Sequence, residues 1–390
     1  MIDLGRHSLA AGAHLALKAA LRDLSADAEL EVRGADVELG VHLTAWARRW
    51  GSPLRSAGSS WFLGAPIHMD GRWRGAERAG EMGSPEGVDT APRRWGLAAR
   101  GAAVELGTPA FDFLLVDRDM LWTGEAGRIY LQAAAAQWDP VAAIDWSAPM
   151  DHPPEVEDAL VQVMTFLIEN ELAALAVPAR FCAQVHPFFR EIVQVLAIQA
   201  ADEARHVEVF TRRIAQNGRA PGLSTAGGQA SLKSLVDEPD FALAAFLTSV
   251  LGEGTFLSLL RFIERHAPDP TTRQMMRLVA ADEARHVAFG LAHLEAHAAR
   301  DPSLRSRLQN AVERRHDALA STSGLNEEVY DALVVLAAGG LQLEGLARGH
   351  AAVVELLQEM DQLRQLRLLR LGFSAVEARE LSSLHTRNFM

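Results

Sequence analysis

Cysteine is almost missing from these 390 residues, and Cys182 stands alone. A lone cysteine excludes an intrachain disulfide and any thiolate-rich metal site, and this one reads as a buried small hydrophobe rather than a reactive thiol. Tyrosine occurs only twice, as Tyr130 and Tyr330. Basic charge is not in excess either: the net charge is −12 and the pI lies near 5.6. That balance argues against binding nucleic acid or an anionic membrane through a broad basic surface. Long apolar runs are lacking too. The longest, near Ala332 to Leu343, is too short for a bilayer and carries Gly339 and Gly340. Met1 to Ala10 offers no basic start followed by an apolar stretch, so a cytoplasmic location without membrane attachment is expected.

What is present is a pentapeptide that occurs twice. Asp202-Glu203-Ala204-Arg205-His206 recurs as Asp282-Glu283-Ala284-Arg285-His286, eighty positions on. In each copy Glu and His are three apart, and on a helix such a pair projects from one face. Upstream of each copy an apolar stretch carries a Glu in its middle: Phe166-Leu167-Ile168-Glu169-Asn170-Glu171-Leu172 and Val250-Leu251-Gly252-Glu253-Gly254-Thr255-Phe256. The order is Glu, Glu-x-x-His, Glu, Glu-x-x-His. A four-helix bundle holding two metals uses this inventory, with one Glu from each of two helices and one Glu-x-x-His from each of the other two. The reason is charge, since buried carboxylates are costly unless paired or metal-bound. Four carboxylates balance two divalent cations, and two neutral imidazoles complete the sites. Surface charges on amphipathic helices are the competing explanation. It conflicts with flanks that are apolar nearly all round, as in core helices.

The predicted metal ligands are therefore Glu169, Glu203, His206, Glu253, Glu283 and His286. The first is a choice between Glu169 and Glu171. Glu253 to Glu283 spans 30 residues, Glu169 to Glu203 spans 34 and Glu171 to Glu203 spans 32. A hairpin lengthened by about one helical turn keeps a ligand at the same height and face, which favours Glu169 and leaves Glu171 a supporting or surface role. Gly252 and Gly254 flank Glu253, each costing about 1 kcal/mol relative to alanine inside a helix. They indicate either close helix packing or room beside the metals, the latter through a π-bulge.

The predicted fold is mainly α, a ferritin-like four-helix bundle with additional C-terminal helices, preceded by a small α/β domain of βαβαβ type. All eight tryptophans fall between Trp46 and Trp146, setting the first third apart. Strands are expected at Met1 to Leu4, Glu29 to Arg33 and Ser60 to Leu63, with helices at Ala11 to Ser25 and Asp36 to Trp50. Residues His68 to Trp95 hold five glycines and two prolines and read as a linker. Val104 to Leu106 and Phe111 to Leu114 form a candidate hairpin. Helix resumes over Met120 to Trp138. The four long helices are expected at Pro154 to Val177, from Pro187 to Gln216, Pro239 to His266 and Pro270 to Ala299, with a polar crossover loop from Arg219 to Lys233. Up-down pairs joined by a longer central connection are the ferritin-like topology. Further helices are expected at Ser303 to Leu319, Glu327 to Leu346, Ala351 to Leu369 and Ala375 to Leu384. The domain boundaries follow as 1–67, 68–117 and 118–390.

Over 155–300 the chain resembles the ferritin-like di-iron carboxylate family. The likeness is to its O2-activating branch, in particular bacterial multicomponent monooxygenase hydroxylases and di-iron N-oxygenases, whose motifs also read Asp-Glu-x-Arg-His. The resemblance implies two iron ions, with manganese or a mixed Mn/Fe pair also compatible. Asp202 and Asp282 should each accept a hydrogen bond from the histidine of the opposite motif, fixing its tautomer. Arg205 and Arg285 either hold those aspartates or form ordinary ion pairs within their own helices. In the related reductase subunits a radical tyrosine lies four residues after the first motif histidine. Here Phe210 and Gly290 take the two equivalent places, so stored-tyrosyl chemistry is not expected. The implied function is oxidation of a C–H or N–H bond of a small organic substrate by O2, with a separate electron donor. The alternatives are a ferroxidase or peroxide-scavenging protein without organic substrate, and a non-catalytic metal-stabilised interaction protein. Assembly as a homodimer is compatible with this.

Leu30-Glu31-Val32-Arg33-Gly34-Ala35-Asp36, continuing through Leu43-Thr44-Ala45-Trp46-Ala47, resembles the small sulfur-carrier proteins of the tRNA-thiolation relay. Their chemistry depends on a Cys-Pro-x-Pro at the start of the first helix, where this chain reads Arg6-His7-Ser8-Leu9-Ala10-Ala11-Gly12 without a cysteine, so sulfur transfer is lost and a docking or structural role is expected.

Overall fold

The computed structural model describes residues 1–22, 24–25, 27–65, 75–319 and 327–385. The chain divides into two compact units, Met1–Gly87 with Arg94–Phe111, and Val88–Arg93 with Asp112–Met390.

In the first unit, β1 (Ile2–Asp3), β2 (Glu29–Arg33), β3 (Leu54–Ala57) and β4 (Ser60–Gly64) form one sheet in the order β1-β2-β4-β3. The β1 and β2 strands run parallel, and the other pairs are antiparallel. Helices α1 (Ala13–Arg22) and α2 (Leu39–Trp50) bury Leu17, Leu21, Leu39 and Leu43 against Leu30, Val32 and Leu63. Gly51 ends α2 in the left-handed conformation, φ 62°, that closes a helix. The predicted third strand is half of a β3–β4 hairpin. Its partner β3 is mostly exposed, so it lacks the apolar alternation that announces a strand.

The candidate hairpin at 104–114 does not form. Instead β6 (Ala103–Val104) pairs with β5 (Glu77–Arg78), which lies in the stretch read as linker; residues 68–74 of that stretch lie outside the described residues. The first unit thus extends past the predicted boundary at 67.

The second unit is helical. After α3 (Arg118–Leu121) and α4 (Ala126–Ala135), the bundle is built from α5 (Pro154–Cys182), α6 (Arg190–Gln216), the rod Phe241–Arg265 and α10 (Pro270–Ala298). The rod comprises α8 (Phe241–Ala245), a π-helical stretch Phe246–Glu253, and α9 (Gly254–Arg265). Proline opens α5 and α10 at the first turn, where its missing N–H costs nothing, and Asp269 caps α10 by accepting from the Thr272 N–H at 2.7 Å. The crossover is not all loop: α7 (Ala226–Val236) lies within it, with Thr225 as its cap.

Beyond the bundle come α11 (Leu304–Leu319), α12 (Glu327–Ala338), α13 (Leu343–Arg370) and α14 (Ala375–His385). The expected break near 346–351 falls instead at Gly339-Gly340, both at positive φ, where the chain bends by 117°.

Contrary to the reading of the longest apolar run, Pro154–Cys182 and Phe241–Arg265 are long and apolar enough to cross a bilayer. A few polar residues interrupt each, so neither reads as one continuous run. Within the fold, 67% and 94% of their most apolar windows is buried in the protein, which accounts for helices apolar on every face. Cys182, at the end of α5, is half-buried rather than buried.

Candidate metal centre

Four helices bring six ionisable side chains to one point in the bundle core. Glu171, Glu203, His206 and Glu283 form one group, and Glu203, Glu253, Glu283 and His286 form the other, with ligand atoms within 4.8 Å of one another in each. Glu203 and Glu283 belong to both. The geometry is a dinuclear one, two positions sharing two carboxylates, each completed by one further Glu and one His.

His206 Nδ1 lies 3.1 Å from Glu203, 3.2 Å from Glu283 and 3.5 Å from Glu171. His286 Nδ1 lies 2.9 Å from Glu203 and 3.4 Å from Glu283. The other nitrogens point outward and cross over: His206 Nε2 is 3.2 Å from Asp282 Oδ2, and His286 Nε2 is 3.2 Å from Asp202 Oδ2. The predicted exchange of aspartates between motifs is present. Each carboxylate fixes the tautomer that leaves Nδ1 free for a metal.

The two arginines divide between the two readings. Arg205 reaches both Asp202, at 2.5 Å, and Asp282, at 2.8 Å, whereas Arg285 pairs with Asp282 of its own helix.

The first predicted ligand needs correction. Glu171, 2% exposed, enters the cluster, while Glu169 is only half-buried and takes no part. The spacing favours Glu169 only if the extra residues lengthen the helical arms. They do not. Eleven residues lead from Glu171 to the helix end at Cys182, and twelve from Glu253 to its end at Arg265. Thirteen lead from the start of α6 to Glu203 and thirteen from the start of α10 to Glu283. The surplus lies in the longer α5–α6 connection, which contains a 3-10 turn at Pro187–Phe189.

Electrostatics fit a cationic occupant. Burial and then the neighbouring carboxylates push Glu171 and Glu253 well above the usual carboxylate range. Burial works to lower both histidines, yet the surrounding carboxylates outweigh it and raise them. Glu171 Oε1 and Glu253 Oε2 are buried without a hydrogen-bond partner, and Glu203 Oε1, both oxygens of Glu283 and His286 Nδ1 face only one another and His206 as close ion pairs without a well-directed hydrogen bond. Such atoms are expensive to leave unpaired, and two divalent metals would satisfy them. The donor set of carboxylate and imidazole suits iron or manganese.

Several participants left no sequence signal. Gln137 Nε2 donates to Asp202 at 2.7 Å and Trp138 Nε1 to Asp282 at 2.7 Å, with the Arg205 guanidinium stacked 4.6 Å over the Trp138 ring. Gln199 Nε2 donates to Glu253 at 3.0 Å. The two flanking glycines serve different ends. A Cβ on Gly254 would lie 2.5 Å from Arg367, so that glycine allows close packing, whereas Gly252 borders a cavity of about 20 Å³. Asn170, Glu171, Ala174, Leu235, Thr248, Glu253 and Phe256 complete its lining. A water needs roughly 10–15 Å³ measured in this way, so the space takes one water-sized molecule.

No protein-family model matches the chain, and no curated protein matches it. Solved structures do. A mutant R2-like ligand-binding oxidase with an aerobically reconstituted Fe/Fe cofactor matches at a TM-score of 0.52 and 19% identity, over 65% of this chain and 95% of that one. Another mutant of such an oxidase, with a Mn/Fe cofactor, matches at 0.47 and 17%, over 62% and 94%. The R2-like ligand-binding oxidase from Sulfolobus acidocaldarius matches at 0.43 and 15%, over 65% and 93%. At this identity the likeness, taken from the first of them, is one of fold. The fold is ferritin-like, and the bundle core holds a buried carboxylate and histidine site able to bind metal.

Proposed function

We propose that this chain is an O2-activating dinuclear oxidase, loaded with two iron ions or a manganese and iron pair and supplied by a separate electron donor. The observation that carries the reading is the shared-carboxylate geometry of the two groups, open on one side to a cavity that touches Glu171 and Glu253 together. The Fe/Fe and Mn/Fe cofactors named for the structural neighbours are in keeping with it. The metals, when bound, supply the electrons and the Lewis acidity for reducing O2.

The chain's own residues set the conditions. Asp202 and Asp282 hold the imidazoles with Nδ1 toward the metals, and Arg205 holds the aspartates. Ala174, Leu235 and Phe256 keep bulk water out. The unpartnered Thr248 Oγ1 and Asn170 Oδ1 give the cavity a hydroxyl that can donate a hydrogen bond and a carbonyl that can accept one.

In this reading the oxidising power is directed onto a C–H or N–H bond of a small organic substrate. The cavity's size favours a second reading, oxidation of iron itself or removal of peroxide, because about 20 Å³ admits O2 but no organic molecule unless Leu235 and α7 move aside. The experiment loads the chain with ferrous iron without O2, then admits O2 carrying heavy oxygen, with and without a reductant and a panel of small amines and hydrocarbons. Uptake of O2 dependent on both metals is expected. Label in an organic product supports the first reading, and iron oxidation with none supports the second. Iron that stays ferrous in O2 overturns both.

A further inference from the structure

Arg213, fully buried, donates to Glu157 at 2.8 and 2.9 Å and to Asp269 at 2.8 Å. Arg315 is buried against the hydroxyls of Ser234 and Ser231, and on α13 Arg364 and Arg367 stand together. They are 1% and 8% exposed and three residues apart, hence on one face of the helix. Among the described residues no carboxylate pairs with either.

Arg364 Nη1 donates to the Ser382 carbonyl and hydroxyl at 3.2 Å, and its Nη2 lies 3.4 Å from Thr255 Oγ1. These are neutral partners. Asp361 acts on Arg364 through its charge but does not pair with it directly, its oxygens accepting from Ser382 Oγ at 2.6 Å and from Gln365 Nε2 at 2.7 Å. Arg364 Nε, Arg367 Nε and Arg367 Nη2 have no partner. Ser258 Oγ, buried on α9 one turn beyond Gly254, has none either. Arg367 lies directly against Gly254 and Arg364 reaches Thr255, so both guanidinium groups meet α9, with Ser258 one turn further along that helix.

Burial lowers Arg364 to about 10 and Arg367 to about 9, the charge of Arg364 adding to the latter. Both stay cationic at neutral pH. Two adjacent buried cations that share the single counter-charge of Asp361 are unfavourable, and guanidinium groups are well suited to capturing an anion.

We propose that Arg364 and Arg367, with the Ser258 hydroxyl, bind one small monovalent anion in the α9–α13 interface. Its chemistry is a single negative charge able to accept guanidinium and hydroxyl hydrogens, as a halide or a small carboxylate does. Gly254 directly follows Glu253. The anion therefore anchors the helix turn from which that carboxylate projects.

The test uses the full chain, exchanged into a buffer whose only anion is bulky, and follows Tm as chloride or formate replaces it at constant ionic strength. A saturable rise is expected with at least one of the two. Chloride alone assigns a halide, formate alone a carboxylate, and a response to neither overturns the proposal. Arg367→Met should weaken the midpoint by about tenfold or more, the loss of one charge-assisted contact. The control Arg277→Met, at an exposed position, should leave it unchanged. An unaltered midpoint in Arg367→Met overturns the assignment. Should that variant fail to fold, Ser258→Ala decides, since a weakened midpoint for whichever anion raises Tm supports the site and an unaltered one overturns it.

Discussion

Glu169 and Glu171 are two residues apart, and two residues on a helix turn a side chain by about 200°. Only one can face the metals, and it is Glu171. Glu171→Ala should leave one metal per chain by elemental analysis, whereas Glu169→Ala should keep two; two metals retained in the first variant would contradict the geometry. Glu157 makes a second case at this scale. Burial opposes its ionisation, but hydrogen bonds from Arg213 and His152 outweigh that and push it down from 4.5 to about 2. A depressed carboxyl contributes stability that is complete above its unfolded value and lost as pH falls through the folded one. The pair should therefore contribute on the order of 3 kcal/mol above pH 4.5, vanishing toward pH 2. Urea unfolding of the chelated protein should show the gap between the unmodified chain and Glu157→Gln closing over that interval. A gap independent of pH would show that Glu157 is not held ionised by Arg213.

Among the elements, the π-helical stretch Phe246–Glu253 has the most direct bearing on chemistry, because it widens the helix where Thr248 and Gly252 meet the cavity. Gly252→Leu should fill that space. Two metals should remain bound while the rate of ferrous oxidation by O2 falls at least about tenfold, the order expected for losing access to a reacting position; an unchanged rate would mean that O2 enters elsewhere. The glycines around Glu253 announced something unusual in the sequence, but not which glycine did what. Helix ends were legible where the signals are local, at Pro153-Pro154, Asp269-Pro270 and Asn217-Gly218. By contrast, α7 was hidden by its own Gly227, Gly228 and serines, and β3 by its exposed Arg55 and Ser56. The contacts of Gln137 with Asp202 and of Trp138 with Asp282 bridge 65 and 144 residues. Nothing local in a sequence reports a partner so distant. The choice of Glu169 failed for a related reason, since spacing cannot tell a longer helix from a longer connection.

For the whole molecule, all six metal-facing residues belong to the second unit. A fragment beginning at Val88 should bind two metals, and metal should raise its Tm because binding favours the folded state alone. A fragment that folds yet binds no metal would tie the first unit to the site. Within the second unit, neither half of the bundle is self-sufficient. Glu203 and Glu283 each serve the other half's position, and each histidine is held by the other half's aspartate. A duplicated stretch is ordinarily free to drift once one copy suffices. Here a change in either copy damages the other, so Asp, Glu and His are bound to the same letters in both. Ala204 and Ala284, exposed in each copy, make no such cross-contact, and substitutions there should be tolerated one copy at a time.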